Sequence, residues 1–276
     1  MIELPEAATI ARQLNETIKG KRIVEGNTGE SPHKFVFYKP SREKLARLLL
    51  KKSIGEVTSL GRSIHIGLEP NEVLVIDEFG GKLLYHDPGA QLPKKYHLLL
   101  KFEDNSFFTV AIQGWGFIST LTEWKQSKWV ILRSNAISPF GAEFTSKRFI
   151  DLVEGYEDKE KDSIKTFFTN GRSVAGIGNS YLQDILFRAK VNPKRKVADI
   201  PASEKKALYR AVKDTIEQAI RQNGRASERD IFDKPGNYNP VMDRYAVDKP
   251  CPNCGTAIQK ISYLGGSCYI CPACQR

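Results

Sequence analysis

Apolar positions in the first fifty residues recur at helical spacing. Ala8, Ile10, Ala11, Leu14 and Ile18 make one stripe between Pro5 and Lys19. Pro5 suits a first helical turn, where an N–H would have no partner in any case. Leu45, Leu48 and Leu49 make a second stripe across Ser41 to Lys52. From Gly55 to about Thr122 the period falls near two, in Ile64 to Leu68, Val73 to Ile76, His97 to Phe102 and Phe107 to Ala111. Glu-Pro-Asn-Glu and Glu-Asp-Asn-Ser turns punctuate these runs. Close-spaced strands flanked by helices predict a β-sandwich or barrel rather than a βαβ sheet. Arg133 to Glu143, with Asn135, Ser138, Pro139 and Gly141, reads as an interdomain linker. Helical spacing then returns over Ser146 to Val153, Lys159 to Phe168, Asn179 to Ala189 and Ser203 to Gln222, while Arg225 to Val247 has no period.

Composition narrows the class. The 276 residues carry 42 Lys and Arg against 32 Asp and Glu, a formal charge of +10 that suits a polyanionic partner. No run approaches the ~18 apolar residues of a membrane span. The acids of Met-Ile-Glu-Leu-Pro-Glu stand where a signal peptide needs bases. All five cysteines lie between Cys251 and Cys274, whereas a disulfide-stapled secreted protein would scatter them. A cytoplasmic, monomeric protein without a membrane partner is expected.

Cys251-Pro-Asn-Cys254 and Cys271-Pro-Ala-Cys274 are two C-x-x-C knuckles separated by sixteen residues, a spacing that fits one structural Zn2+ in a ribbon. Gly265-Gly266 is expected to turn the intervening hairpin at positive φ, and Cys268, outside both knuckles, reads as a packed thiol. Val174-Ala-Gly-Ile-Gly-Asn179-Ser-Tyr181 reads as an ordinary helix–helix turn or as a phosphate cradle at a helix N-terminus. Arg188, Lys190, Lys194, Arg195 and Lys196 follow it closely and favour the second reading.

Four segments in order resemble the formamidopyrimidine-DNA glycosylase and endonuclease VIII family: Glu3-Leu-Pro-Glu6, Ser138-Pro-Phe-Gly-Ala-Glu-Phe144, Ile164-Lys165 with Gly176-Ile-Gly-Asn179-Ser-Tyr181, and Cys251 to Gln275. The resemblance implies an α+β multidomain fold. An N-terminal catalytic β-sandwich flanked by two helices would occupy residues 1–132, a helix–two-turn–helix domain 133–246 and the zinc ribbon 247–276. It implies damaged double-stranded DNA as partner, with the target base flipped out of the stack. By resemblance Glu3 is the general acid/base at the deoxyribose, Glu6 a second active-site carboxylate, and Lys165 and Asn179 are phosphate contacts. On the residues alone, Glu3 and Glu6 read equally as acids favoured by a helix N-terminus.

The chain departs from the family at the chemistry. Ile2 stands where the family has the proline whose α-amine attacks the sugar. Initiator Met is removed before small residues, so Met1 is expected to stay, with the amine one residue, roughly 3.5 Å, farther along. Removal would instead make Ile2 the amine. His65 aligns with the family's hairpin lysine, Gly266 with its ribbon-tip arginine, and Phe79, Gln113 and Trp115 with the residues that fill the void left by the base. The loop from Arg229 to Tyr238 is shorter than in relatives that cap an oxidised purine. These features support a DNA glycosylase, with amine or with water activated by Glu3 or Glu6 as nucleophile and lyase activity open. A catalytically silent damaged-DNA binder and a zinc-ribbon RNA binder are the alternatives.

Overall fold

The structure is a computed structural model that describes residues 1–29, 35–77, 80–126 and 136–276. Its chain forms two compact units, one of Met1–Leu132 with Gln222–Asn237 and one of Arg133–Arg221 with Tyr238–Arg276. The aperiodic stretch after residue 221 is therefore shared, and residues 222–237 fold with the amino-terminal unit.

The first unit is a β-sandwich. One sheet has the order β1-β7-β8-β6, built from Ile23–Asn27, Leu98–Phe102, Phe107–Gln113 and Gly80–His86. The other has the order β2-β9-β5-β4-β3, from Val36–Lys39, Gly116–Thr120, Glu72–Asp77, Ser63–Glu69 and Ser53–Leu60. Only the β2–β9 pair is parallel among the described strands. The period of two explains the packing. Phe108, Val110 and Ile112 of β8 and Ile64, Ile66 and Leu68 of β4 all point into one shared core, while His65 and Gly67 stand on the opposite face of β4.

Helix α1 (Leu4–Thr17) closes that core with Ile10 and Leu14, and α2 (Arg42–Leu49) with Leu45 and Leu49. Ser41 caps α2 by accepting from Lys44 N. A short α3 (Leu121–Lys125) follows β9, capped by Thr120. The returning segment 222–237 is pinned to α1 by Gln13. Its amide Nε2 donates to Asp230 Oδ2 at 2.8 Å, and its Oε1 accepts from Ile231 N at 3.3 Å. Ile231 is fully buried in the sandwich core, and its carbonyl accepts from Tyr85 N.

The second unit contains α4 (Ser146–Glu154), α5 (Ile164–Thr169), α6 (Asn179–Ala189) and α7 (Ala202–Arg221), followed by the hairpin of β10 (Gln259–Tyr263) and β11 (Gly266–Ile270). Helix α5 begins five residues later than its apolar stripe predicts, because the Ser163 hydroxyl accepts from Thr166 N and starts the helix there. The expected linker is only partly one. Arg133 to Asn135 lie outside the described residues, but Ile137 is buried and bridges to Val174 as a parallel pair. The hairpin turns at Leu264 (φ 52°) and Gly265 (φ 70°) rather than at Gly265-Gly266, since Gly266 already pairs with Tyr263 in the ladder. Two central residues at positive φ match the right-handed twist of the strands. Among the described residues no helix is long and apolar enough to cross a membrane.

Asp184 of α6 fastens the chain where it re-enters this unit. It is almost fully buried and accepts from Tyr238 Oη at 2.6 Å, Val241 N at 3.1 Å and Met242 N at 2.8 Å. Burial raises its pKa despite these donors. Asp184→Ala leaves a buried hydroxyl and two amides unpaired and should cost about 3 kcal/mol or more in denaturant unfolding, with Asp184→Asn intermediate.

Candidate functional site

Four side chains and the chain terminus converge at the first turn of α1. Glu3 is the N-cap, and Glu6, three residues on, reaches back so that its Oε2 accepts from Glu3 N at 2.9 Å in a reciprocal capping box. Both carboxylates are buried, Glu3 at 4% and Glu6 at 3% exposure. Glu6 Oε1 accepts from Arg225 N at 3.0 Å and Arg225 Nε at 3.1 Å, so a guanidinium from the returning segment neutralises it. Arg225 Nη2 also donates to Met1 O at 2.8 Å and lies 3.4 Å from Glu228 Oε1. That same Oε1 accepts from the Met1 α-ammonium at 3.1 Å.

A glycine makes this packing feasible. Gly224 has φ +83°, and a Cβ there would sit 2.8 Å from Glu6 Cγ. Gly80, paired with Gln113 across β6 and β8, lies beside Met1, where a Cβ would make ordinary contact with the Met1 Cα at 3.7 Å. The β3–β4 turn supplies a further cation, for Arg62 Nη1 lies 3.3 Å from Met1 Sδ. Ile2, by contrast, is 2% exposed and belongs to the sandwich core. The exposed terminus is Met1, at 57%.

His65, which aligns with the family's hairpin lysine, lies on β4. Its ring meets Trp124 edge-on at 4.8 Å, and its Nε2 lies 2.9 Å from Ser63 Oγ. Trp124 is itself held by Asp77 through its indole N–H at 2.8 Å. Burial, with the nearby Lys125 charge, depresses the His65 pKa to about 4. The ring is therefore neutral at pH 7. Trp115 is 55% exposed and stacks on Phe35, with ring centroids 5.3 Å apart, and tilts on Phe37 at 5.4 Å. Gln113 is exposed at the end of β8, and Phe79 lies outside the described residues.

In the second unit Lys165 and Asn179 both grip the ribbon hairpin. Lys165 is 4% exposed, and its Nζ donates to Tyr263 O at 2.9 Å and lies 3.3 Å from Cys268 Sγ. Asn179, opening α6 after Gly178, donates from Nδ2 to Ser267 O at 3.1 Å. Gln183, one turn on, donates to the same carbonyl at 3.2 Å and accepts from Tyr269 N at 3.1 Å. A Cβ on Gly266 would meet Lys165 Nζ at 3.5 Å, so the hairpin lies tightly over that ammonium. In the basic run Arg195 is spent on Glu204 at 2.7 Å, whereas Lys190, Lys194 and Lys196 are exposed.

Cys251, Cys254, Cys271 and Cys274 bring their sulfurs within 4.8 Å of one another and could hold a metal ion. Separations of 3.4 and 3.9 Å are too long for a disulfide. They bracket the roughly 3.8 Å edge of a tetrahedron with ~2.3 Å metal–sulfur bonds. Hydrogen bonds from Thr256 pull the Cys254 thiol down to about 6, while bonding to Cys254 and burial push Cys274 up to about 12. Four thiolates this close need a cation among them. Gln275 braces the second knuckle from outside, accepting from Cys271 N at 3.0 Å and donating to Val191 O at 3.1 Å.

Sequence reasoning missed Arg225, Glu228, Arg62 and Gln183. Its nearest signal was Gly224 followed by a cation and an acid three residues apart, inside a segment with no period to place it.

Two family models match the chain, the formamidopyrimidine-DNA glycosylase N-terminal domain over residues 1–111 and the formamidopyrimidine-DNA glycosylase H2TH domain over 137–230. Among similar curated proteins are the formamidopyrimidine-DNA glycosylases of Listeria monocytogenes serotype 4b, 26% identical with all of both chains covered, and of Wolbachia sp. subsp. Brugia malayi, 28% identical with the same coverage. A structure of Lactococcus lactis Fpg complexed with DNA containing an abasic site superposes with a TM-score of 0.85 at 22% identity, covering 99% of each chain. At that identity the superposition speaks for the fold.

The His65 environment sets a pH dependence. The unfolded chain takes up a proton near the ordinary value of 6.5, the folded chain only near 4. Stability from this site is therefore complete above about pH 6.5 and lost progressively as pH falls to 4, by ~2–3 kcal/mol in all. Unfolding free energies measured from pH 7 to 4 should fall accordingly, and less steeply in His65→Gln.

Proposed function

Because the chain belongs to the formamidopyrimidine-DNA glycosylase and endonuclease VIII family, we propose that it excises damaged bases from duplex DNA, with the Met1 α-amine as the group that attacks the sugar. The gathering of Met1, Glu3, Glu6, Arg225 and Glu228 at the start of α1 carries this reading. An α-amine is a weaker base than a lysine side chain and gives up its proton more readily to a neighbouring acceptor. Glu3 exchanges protons with the deoxyribose. Glu6, committed to Arg225 and to Glu3 N, holds the terminus in place. Ile2 anchors the chain in the core and supplies no amine.

Exposed Lys190, Lys194 and Lys196 and the formal charge of +10 give phosphates their counter-charge. Lys165 and Asn179 act through the ribbon hairpin they hold, and Gln113 and Trp115 fill the space a flipped base leaves. The four cysteines hold one structural zinc, which fixes the two knuckles that carry that hairpin. Attack by an amine passes through an imine from which strand cleavage follows, whereas attack by water releases the base alone.

A second reading has one observation in its favour. The Met1 ammonium is held in an ion pair with Glu228 at 3.1 Å, and a proton left on that nitrogen blocks attack. If it persists on DNA, the protein binds damage silently.

Duplexes carrying uracil-type, oxidised-pyrimidine, formamidopyrimidine and abasic lesions separate these readings when incubated with the protein and treated with borohydride. The expected result is a trapped adduct on Met1 with at least one lesion. Base release without an adduct assigns the attack to water, and tight lesion binding with neither product sinks the enzyme reading. Glu3→Gln should lose base release by about 10²-fold or more at nearly unchanged affinity. Mass spectrometry of the intact chain should find Met1 retained. Metal analysis should give one zinc per chain, and stripping it with a thiol-reactive mercurial and chelator should abolish duplex binding.

A further inference from the structure

We infer that Glu228 is the proton acceptor that arms the Met1 α-amine and that Arg225 is the positioning residue that holds the two together. The inference rests on the amine reading above and adds residues to it.

A terminal amine at pH 7 is mostly ammonium and has no lone pair to offer. Something must take its proton at the moment of attack. Among the described residues, Glu228 is the carboxylate within hydrogen-bond distance of that nitrogen, at 3.1 Å. The other two acids of the cluster are otherwise engaged. Both oxygens of Glu6 accept from Arg225 or from Glu3 N, and Glu3 faces the N–H of Glu6 in the capping box. Glu228 keeps 16% side-chain exposure, which leaves it open to the site, while Arg225 at 8% is buried enough to be a fixed post. One nitrogen, Arg225 Nη2, serves both Met1 O and Glu228 Oε1. Amine and carboxylate are thereby set against each other across 227 positions of sequence. The turn that carries them is closed by Glu228 N donating to Arg225 O at 3.1 Å.

The step balances without a co-reactant. Glu228 Oε1 takes one proton from the α-ammonium. The freed lone pair bonds to the glycosidic carbon as the carbon–base bond breaks, and that bond's electron pair leaves with the base, which takes up the proton that Glu228 holds. The arrangement also answers the one-residue extension of the terminus, because the acceptor comes from residues 222–237 and meets the amine where Met1 puts it.

The test is the rate of borohydride trapping of full-length, zinc-loaded protein on a duplex with an abasic aldehyde, from pH 6 to 9.5, alongside its affinity for the same duplex by anisotropy. Glu228→Gln keeps shape and hydrogen bonding but cannot accept a proton. We expect trapping at pH 7 to fall at least 10-fold, to recover above about pH 8.5 where solvent deprotonates the amine, and affinity to stay within twofold. Glu228→Asp should retain part of the rate, and Arg225→Lys should lower it at every pH, since it loosens the pair without removing the acceptor. Trapping by Glu228→Gln as fast as wild type, or faster, at pH 7 overturns the inference while leaving the amine reading intact. Absence of trapping by the wild type at every pH, with the duplex bound, overturns the amine reading and this inference with it.

Discussion

Arg225 and Glu6 bury opposite charges against each other, with 8% and 3% of their side chains exposed. Neither charge would be tolerated there alone, because removing an ion from water costs several kcal/mol that only a partner at contact distance offsets. The rest of the amino-terminal unit depends on that match. Glu6 is fixed because it also closes the capping box of α1, and Arg225 because Gly224 at φ +83° brings its backbone onto the carboxylate. From this anchor Arg225 extends to the Met1 carbonyl and Glu228 to the Met1 amine. A loop distant in sequence and the first turn of the chain thus become one rigid object.

The second unit uses the same economy with a different charge. Lys165 would be costly to bury, yet at 4% exposure it satisfies its ammonium with the Tyr263 carbonyl and the Cys268 sulfur. Asn179 and Gln183 hold the Ser267 carbonyl from the next helix. The ribbon hairpin is therefore clamped at its base by the four cysteines and near its tip by α5 and α6. Cys268, the odd cysteine of the sequence, is a fully buried member of that clamp.

What could be read in advance follows the range of each signal. Apolar period announced α1, α4, α6 and α7 to within a residue or two, because one buried face of a helix repeats over many turns. It passed over β1, β3 and β6, where Gly26, Gly55 and the Gly80-Gly81 pair interrupt the alternation and a bulge lies between Ile54 and Val57. The cysteine spacing placed the four sulfurs together. The chemistry of the remaining site was less legible. Lys165 was assigned to phosphate by resemblance alone, because nothing local says that a hairpin about a hundred residues away will cover it. His65 aligned with a charged group, but burial and the nearby Lys125 charge hold its ring neutral. Arg225 and Glu228 gave almost no signal, since their meaning lies wholly in a tertiary contact with the first six residues.

The burial of Ile2 carries a practical consequence. With that side chain locked in the core, Met1 projects with its amine against Glu228, its carbonyl against Arg225 and its thioether beside Arg62. Any fusion tag or acyl group joined ahead of it turns the amine into an amide, which has no basic lone pair and no charge to offer Glu228. The choice of which end to tag for purification therefore decides whether the ion pair with Glu228 can form at all.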